Sequence, residues 1–419
     1  MRSRSPLVVL GSLAILVQCD LMKQKAGGDA AATTAATTSG GNTASQTTTT
    51  NAATAEPTSD PSKGATVGCV WPDDGRKDVT FTKGCSLVAK HNLTMDEGAT
   101  LTFEEGVKVS FDTDTYMWVD YGKMVVKGTD AAPVIFTSSN KSPAPGDWAG
   151  IGFKEKTSAG TTIDHLIVEY AGSKAASGVG GIHVETMRQG GRISITNTTV
   201  RSSSQFGLVA DDNATFGKFE NNMFKENKSG SVRAFAEVLG SFGRGNTFSQ
   251  PIHVVNSKVD QTTTWPPFDV PVLIDGNIEI ASDSSVPTLT IADKTIMKMG
   301  QDTYFDIGGS PGALVAKNVT FTSNSPSPSE GDWATIFIKR KSNGTDIENC
   351  TFEYFGSSSA GARGGITLWG MSATDLKGVK IANNTFRKGK QDAMHSDDGK
   401  CDPYDKTNKV EGIPFCNKP

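Results

Sequence analysis

The sequence predicts an all-β chain wound as a parallel solenoid, and three observations carry that prediction. The chain is a duplication. Gly146-Asp147-Trp148-Ala149 returns 185 residues later as Gly331-Asp332-Trp333-Ala334, and each copy follows a Phe-Thr-Ser run, Phe136-Thr137-Ser138 and Phe321-Thr322-Ser323. A shorter period lies inside it: Val200, Phe224 and Phe248 are spaced by 24, each closing an Asn-containing phrase, and Ala382-Asn383-Asn384-Thr385-Phe386 repeats that phrase. Between the phrases run short alternations such as Ile193-Ser194-Ile195 and Val379-Lys380-Ile381, which place one face of a strand inward. Short strands at a fixed period, separated by Gly and Asn turns, describe the coils of a solenoid, stacked at about 4.8 Å.

Composition agrees. Glycine is frequent at 45 residues and aromatics are few at 8%, a mixture suited to many short strands and turns. The net charge of −4 supplies no basic surface for nucleic acid.

The elements follow in chain order. Arg2 and Arg4 precede an apolar run, Leu7 to Val17, the size of a secretory leader and too short to span a membrane, which takes roughly 20 residues. The run ends in Leu16-Val17-Gln18-Cys19, which resembles the lipobox of bacterial lipoproteins, with Gln18 where that pattern carries a small residue. The resemblance implies a signal peptide over 1–18, lipidation of Cys19, and a cell-envelope location on the outer membrane or cell surface. Residues 19–66 are mostly Ala, Thr, Ser and Gly and cannot bury enough surface to offset the entropy of ordering. They read as a tether whose r.m.s. span is roughly 35 Å. A first segment with extra coils is expected over 67–270, the added coils lying at about 215–270. A second segment with a C-terminal cap is expected over 271–419.

Cysteines mark both ends of the folded part. Cys69 and Cys85 open it and Cys401 and Cys416 close it; in an exported chain these pairs are expected as disulfides. Cys350 aligns with Leu166 of the first copy and is expected to be a buried, unreactive thiol.

The Leu-Thr-Phe or Leu-Thr-Ile strands, the Phe-Thr-Ser strands, the Gly-Asp-Trp turns and the Asn-x-x-Phe coils together resemble bacterial right-handed parallel β-helix proteins, the pectin-lyase-like superfamily in its broad sense. The resemblance covers roughly residues 70 to 400 and specifies fold more than function. It implies that an Asp pair could act as general acid and base on a glycosidic bond. Asp211-Asp212, recurring as Asp397-Asp398 beside His395, is the catalytic candidate. Both pairs also suit strand-closing turns, and the Gly-His-Gly and Arg-Ile-Lys phrases of β-helix hydrolases are missing. No metal cluster, cofactor motif or phosphate loop stands out.

Binding candidates come from the places where the copies differ. Alternation puts Trp118 and Trp369 on the outer surface, where an aromatic face can stack on a sugar ring or anchor a partner. His183 and Glu185 lie opposite Thr367 and Trp369 in the alignment. Trp148 and Trp333 keep one place in both copies and read as structural. The expected function is a non-enzymatic cell-envelope lipoprotein, held to a membrane by its N-terminal lipid. Its β-helix would serve surface binding, adhesion or structure, with polysaccharide or another surface protein as partner. The alternative is a polysaccharide lyase or glycoside hydrolase.

Overall fold

The computed structural model describes residues 66–416, apart from 176–179, 188–191, 215, 398 and 400. The leader, Cys19, the tether up to residue 65 and Asp398 lie outside the described residues.

The described chain is a right-handed parallel β-helix. Every strand pairing is parallel, from Thr66–Gly68 against Val79–Phe81 to Thr385–Arg387 against Lys409–Glu411. Inward residues stack from coil to coil into one apolar core. Phe81 stacks on Phe103 at 4.8 Å between centroids, and Phe352 on Phe386 at 4.7 Å. Such offset ring pairs add stabilisation beyond the area they bury.

Five sheets form the walls. Sheet 1 has seven strands, from Thr66–Gly68 to Phe216–Glu220. Sheet 2 has seven, from Ser86–Ala89 to Thr247–Phe248. Sheet 3 is continuous through thirteen, from Leu93–Met95 to Lys409–Glu411. Sheet 4 has six, from Ser257–Val259 to Asp392–Ser396, and sheet 5 has five, from Thr263–Thr264 to Lys380–Ala382.

The duplication is out of phase with these walls. Lys108–Phe111 belongs to sheet 2, but its counterpart Ile296–Met299 belongs to sheet 3. Tyr116–Val119 belongs to sheet 3, and its counterpart Phe305–Ile307 to sheet 4. The second copy is therefore turned by one face relative to the first. The slip occurs across the inserted coils, where the one-turn helix Ala236–Leu239 packs its buried Ala236, Val238 and Leu239 into the core.

The repeated asparagines are a coil-to-coil ladder. Asn222 is fully buried; its Oδ1 accepts the Thr198 N–H at 3.0 Å and its Nδ2 donates to Ile195 O at 2.9 Å. Asn384 repeats this with Cys350 N–H and Ile347 O, at 2.8 and 3.0 Å. The preceding Asn221 and Asn383 take left-handed φ values of 56° and 58°, which asparagine tolerates better than most residues.

Both expected disulfides are present, Cys69–Cys85 and Cys401–Cys416. Cys350 is free and buried, and burial pushes its thiol up to about 12.

Candidate functional site

Four successive coils of sheet 3 bring first-copy candidates together. Met117 and Val119 are fully buried inside, and Trp118 faces outward between them. Its surface is nevertheless covered: only 7% is exposed, which corrects the expectation of a presented aromatic. The cause lies one coil up, where Gly152 leaves room for the indole to lie flat; a Cβ there would sit 2.0 Å from the ring. Lys154 places its Nζ 5.2 Å from the ring centroid, and His183 meets the ring edge-on at 5.8 Å.

His183 Nε2 lies 3.1 Å from Asp211 Oδ2 on the next coil, while its buried Nδ1 has no hydrogen-bond partner. Trp118, His183 and Asp211 thus form one cluster. Glu185 follows the same strand, half-buried, its N–H bonded to Phe153 O. Asp212 sits exposed in the turn beyond Asp211.

The second copy builds the homologous face differently, on sheet 4. Asp306 stands where the first copy has Trp118, and Phe337 where it has Gly152. The outward ring therefore comes from the neighbouring coil. Phe337 lies between the buried Ile336 and Ile338 and is itself 3% exposed. Tyr304 packs edge-on against it at 5.5 Å and Trp369 at 5.8 Å. Lys339 bridges the pair of coils, its Nζ 2.6 Å from Asp306 Oδ2 and 5.8 Å from the Phe337 ring. Trp369 is 46% exposed, so it is the indole that this protein presents to solvent. Its flank is set by the short 3-10 turn Ser359–Gly361, where a Cβ on Gly361 would stand 3.4 Å from the indole. Phe337, Tyr304 and Lys339 were not among the expected site residues. The alternation Ile336-Phe337-Ile338 carried the signal for an outward Phe337.

His395 pairs in register with Thr367, so it shares the face with Trp369. Its Nε2 stands 3.6 Å from Asp397 Oδ1 and makes no hydrogen bond. Beside it opens a groove of about 610 Å³ bordered by Glu330, Arg363, Lys390 and Gln391. Gln391 Nε2 donates to Gly356 O and Ala362 O at 3.0 and 3.3 Å, tying down the 356–362 loop.

The carboxylates do not gather into one centre. Asp211 is engaged by His183 on sheet 3, and Asp397 faces His395 at the end of sheet 4. Among the described residues no three His, Cys, Asp or Glu side chains cluster closely enough to hold a metal.

The two Gly-Asp-Trp turns carry the same internal bonds. Asp147 Oδ2 accepts the Ser138 hydroxyl at 2.6 Å and the Ala144 N–H at 3.0 Å; Asp332 Oδ2 accepts Ser323 at 2.5 Å and the Ser329 N–H at 3.0 Å. Trp148 and Trp333 are fully buried, and their indole N–H groups donate to Glu169 O and Glu353 O. These tryptophans are structural.

Stacked parallel coils of this kind define a parallel β-helix protein. Residues 74–182 match the family model of the pectate-lyase like beta helix domain. That stretch includes Trp118 and stops one residue before His183. No curated protein and no solved structure matches the chain.

Proposed function

We propose that this chain is a cell-envelope lipoprotein whose β-helix binds carbohydrate without cleaving it. The observation that carries the reading is the aromatic cluster on sheet 4, where Trp369, 46% exposed, packs edge-on against Phe337, itself packed against Tyr304 and beside the Lys339–Asp306 pair. An indole held from beside by a packed ring loses little entropy when a sugar stacks on it. The lipobox-like Leu16-Val17-Gln18-Cys19 and the Ala/Thr/Ser-rich stretch after it support display of this body on a membrane-anchored tether.

The alternative, a polysaccharide lyase or hydrolase, is favoured by the pectate-lyase like match and by the recurring His–Asp pairs at His183–Asp211 and His395–Asp397. A panel of acidic and neutral polysaccharides, assayed for both retention and new chain ends, separates the two. Retention is expected to fall at least tenfold in Trp369→Ala, with no new chain ends from the native protein. Chain ends that appear with the native protein and vanish in Asp211→Asn or Asp397→Asn would overturn the non-enzymatic reading. Acyl labelling that persists in Cys19→Ala would overturn the anchor.

A further inference from the structure

The slip in phase between the two copies leaves a cleft that neither copy contains alone. Sheet 1 ends at Phe216–Glu220, sheet 4 begins at Ser257–Val259, and the two are not paired. The helix Ala236–Leu239 lies between them, its Ala236 N–H bonded to Ser257 Oγ at 3.0 Å. Beside the helix is a cleft of about 750 Å³ bordered by Arg192, Asn213, Phe216, Glu237, Gln261 and Thr263, within the usual range of roughly 300–1,000 Å³ for small-molecule sites.

Glu237 is the acidic group of the lining. Its Oε1 accepts the Asp260 and Gln261 N–H groups at 2.6 and 2.7 Å, fastening the helix to the following coil. Glu237 also borders the cleft. Burial raises its proton affinity; the two N–H bonds oppose this, and the carboxylates of Asp260 and Asp212 add to it. Arg192, exposed at the opposite sequence end of the cleft lining, pairs with no carboxylate among the described residues.

Charge selects the ligand class. The lining holds one Arg and one Glu, and its other polar groups are amides and hydroxyls. An anion would meet Glu237 with Asp212 and Asp260 behind it, and a cation would meet Arg192. A neutral ligand with many hydroxyls can accept from the guanidinium and the amides and donate to the carboxylate at once. We propose that the junction cleft is a second ligand site, separate from the Trp369 platform, that takes neutral sugar units, with the Glu237 carboxylate accepting their hydroxyls and Arg192 and Asn213 donating to them.

Saturation-transfer NMR on the full chain tests this with methyl glucoside, methyl galactoside and N-acetylglucosamine as probes, and glucuronate and glucosamine as charged controls. At least one neutral sugar is expected to bind, with affinity at least fivefold weaker in Arg192→Ala and in Glu237→Gln, and unchanged in Trp369→Ala. Arg192 is exposed and Glu237→Gln keeps an oxygen for the backbone N–H groups, so both variants should fold. The site is overturned if no neutral sugar binds, if both variants bind like the native chain, or if either charged sugar binds more tightly than its neutral relatives. Neutral-sugar binding lost in Trp369→Ala alone would also overturn it, while leaving the platform reading intact. Failure of the platform, seen as unchanged polysaccharide retention in Trp369→Ala, does not touch the cleft.

Discussion

Asp147 and Asp332 show how one side chain closes a turn between stacked coils. Burial pushes each carboxyl pKa up, but the hydroxyl and N–H donors around it outweigh burial and hold it below the ordinary value. A carboxyl lowered in the folded state stabilises above its unfolded pKa of about 3.9 and loses that contribution as pH falls through the folded value. Acid unfolding of Asp147→Asn should therefore be shallower in this window than that of the native chain. At neutral pH the substitution should cost about 1–2 kcal/mol, read from denaturant midpoints. Trp333→Ala removes a fully buried side chain and should cost about 3–5 kcal/mol; a smaller loss would mean that the site collapses around the gap. Glu237 titrates with the opposite sign. Its folded pKa is raised, so the stability tied to it is present below the unfolded value and lost as pH rises through the folded one. Glu237→Gln should flatten that alkaline-side decline.

The tryptophan pair was legible in the sequence because Gly-Asp-Trp occurs twice in one setting. The state of Trp118 was not, because what covers it is the absence of a side chain at Gly152 one coil away, together with Lys154 and His183. Period-two alternation reports which way a residue points and says nothing of what the next coil lays over it. Trp369 differs from Trp118 in that its neighbour Phe337 supports it from beside rather than vacating the space beneath it.

At the level of elements, the Asn phrases mark the places where one coil bonds to the next. Asn384 holds a backbone N–H, a backbone carbonyl and the Asn408 amide together. Asn384→Ala should destabilise by about 1–3 kcal/mol for each polar group left buried and unpaired, and hydrogen exchange should rise first at Cys350 and Thr385. The spacing of 24 placed the first-copy asparagines at one position of successive coils; the Asn384 contacts to Cys350 and Ile347 span 34 and 37 residues and lay outside that spacing. The one-face slip between copies left no such trace: the duplicated phrases are the same whichever wall they occupy, and the slip depends on how the inserted coils and the helix Ala236–Leu239 turn the chain. The junction cleft was invisible for the same reason.

Across the whole molecule, sheet 3 is the wall that runs through both copies, while sheets 1 and 2 give way to sheets 4 and 5. Cooperative unfolding is expected to hold across the junction only as far as that wall and the shared aromatic core transmit it. Phe219 on Phe242 at 4.2 Å and Phe224 on Phe248 at 5.6 Å supply the core there. Phe242→Ala should split a single thermal transition into two, seen by calorimetry; a single transition merely shifted downward would show that sheet 3 alone couples the halves. With Cys19 replaced, one thiol, that of Cys350, should react after denaturation without reduction, and none before it.

The disulfide between Cys69 and Cys85 has a mechanical meaning. A load applied at residue 66 and resisted farther along the helix enters through the Thr66–Gly68 strand and passes across the sulfur bridge to Cys85. The 16-residue separation closed by the bridge is then spared extension, and with it the strand Val79–Phe81 that seals the first coil. Reducing the bridge should lengthen the first extension event under force by roughly 55 Å, at up to about 3.6 Å per residue. A body hung by its N-terminal end would in this way keep its first turn closed under drag.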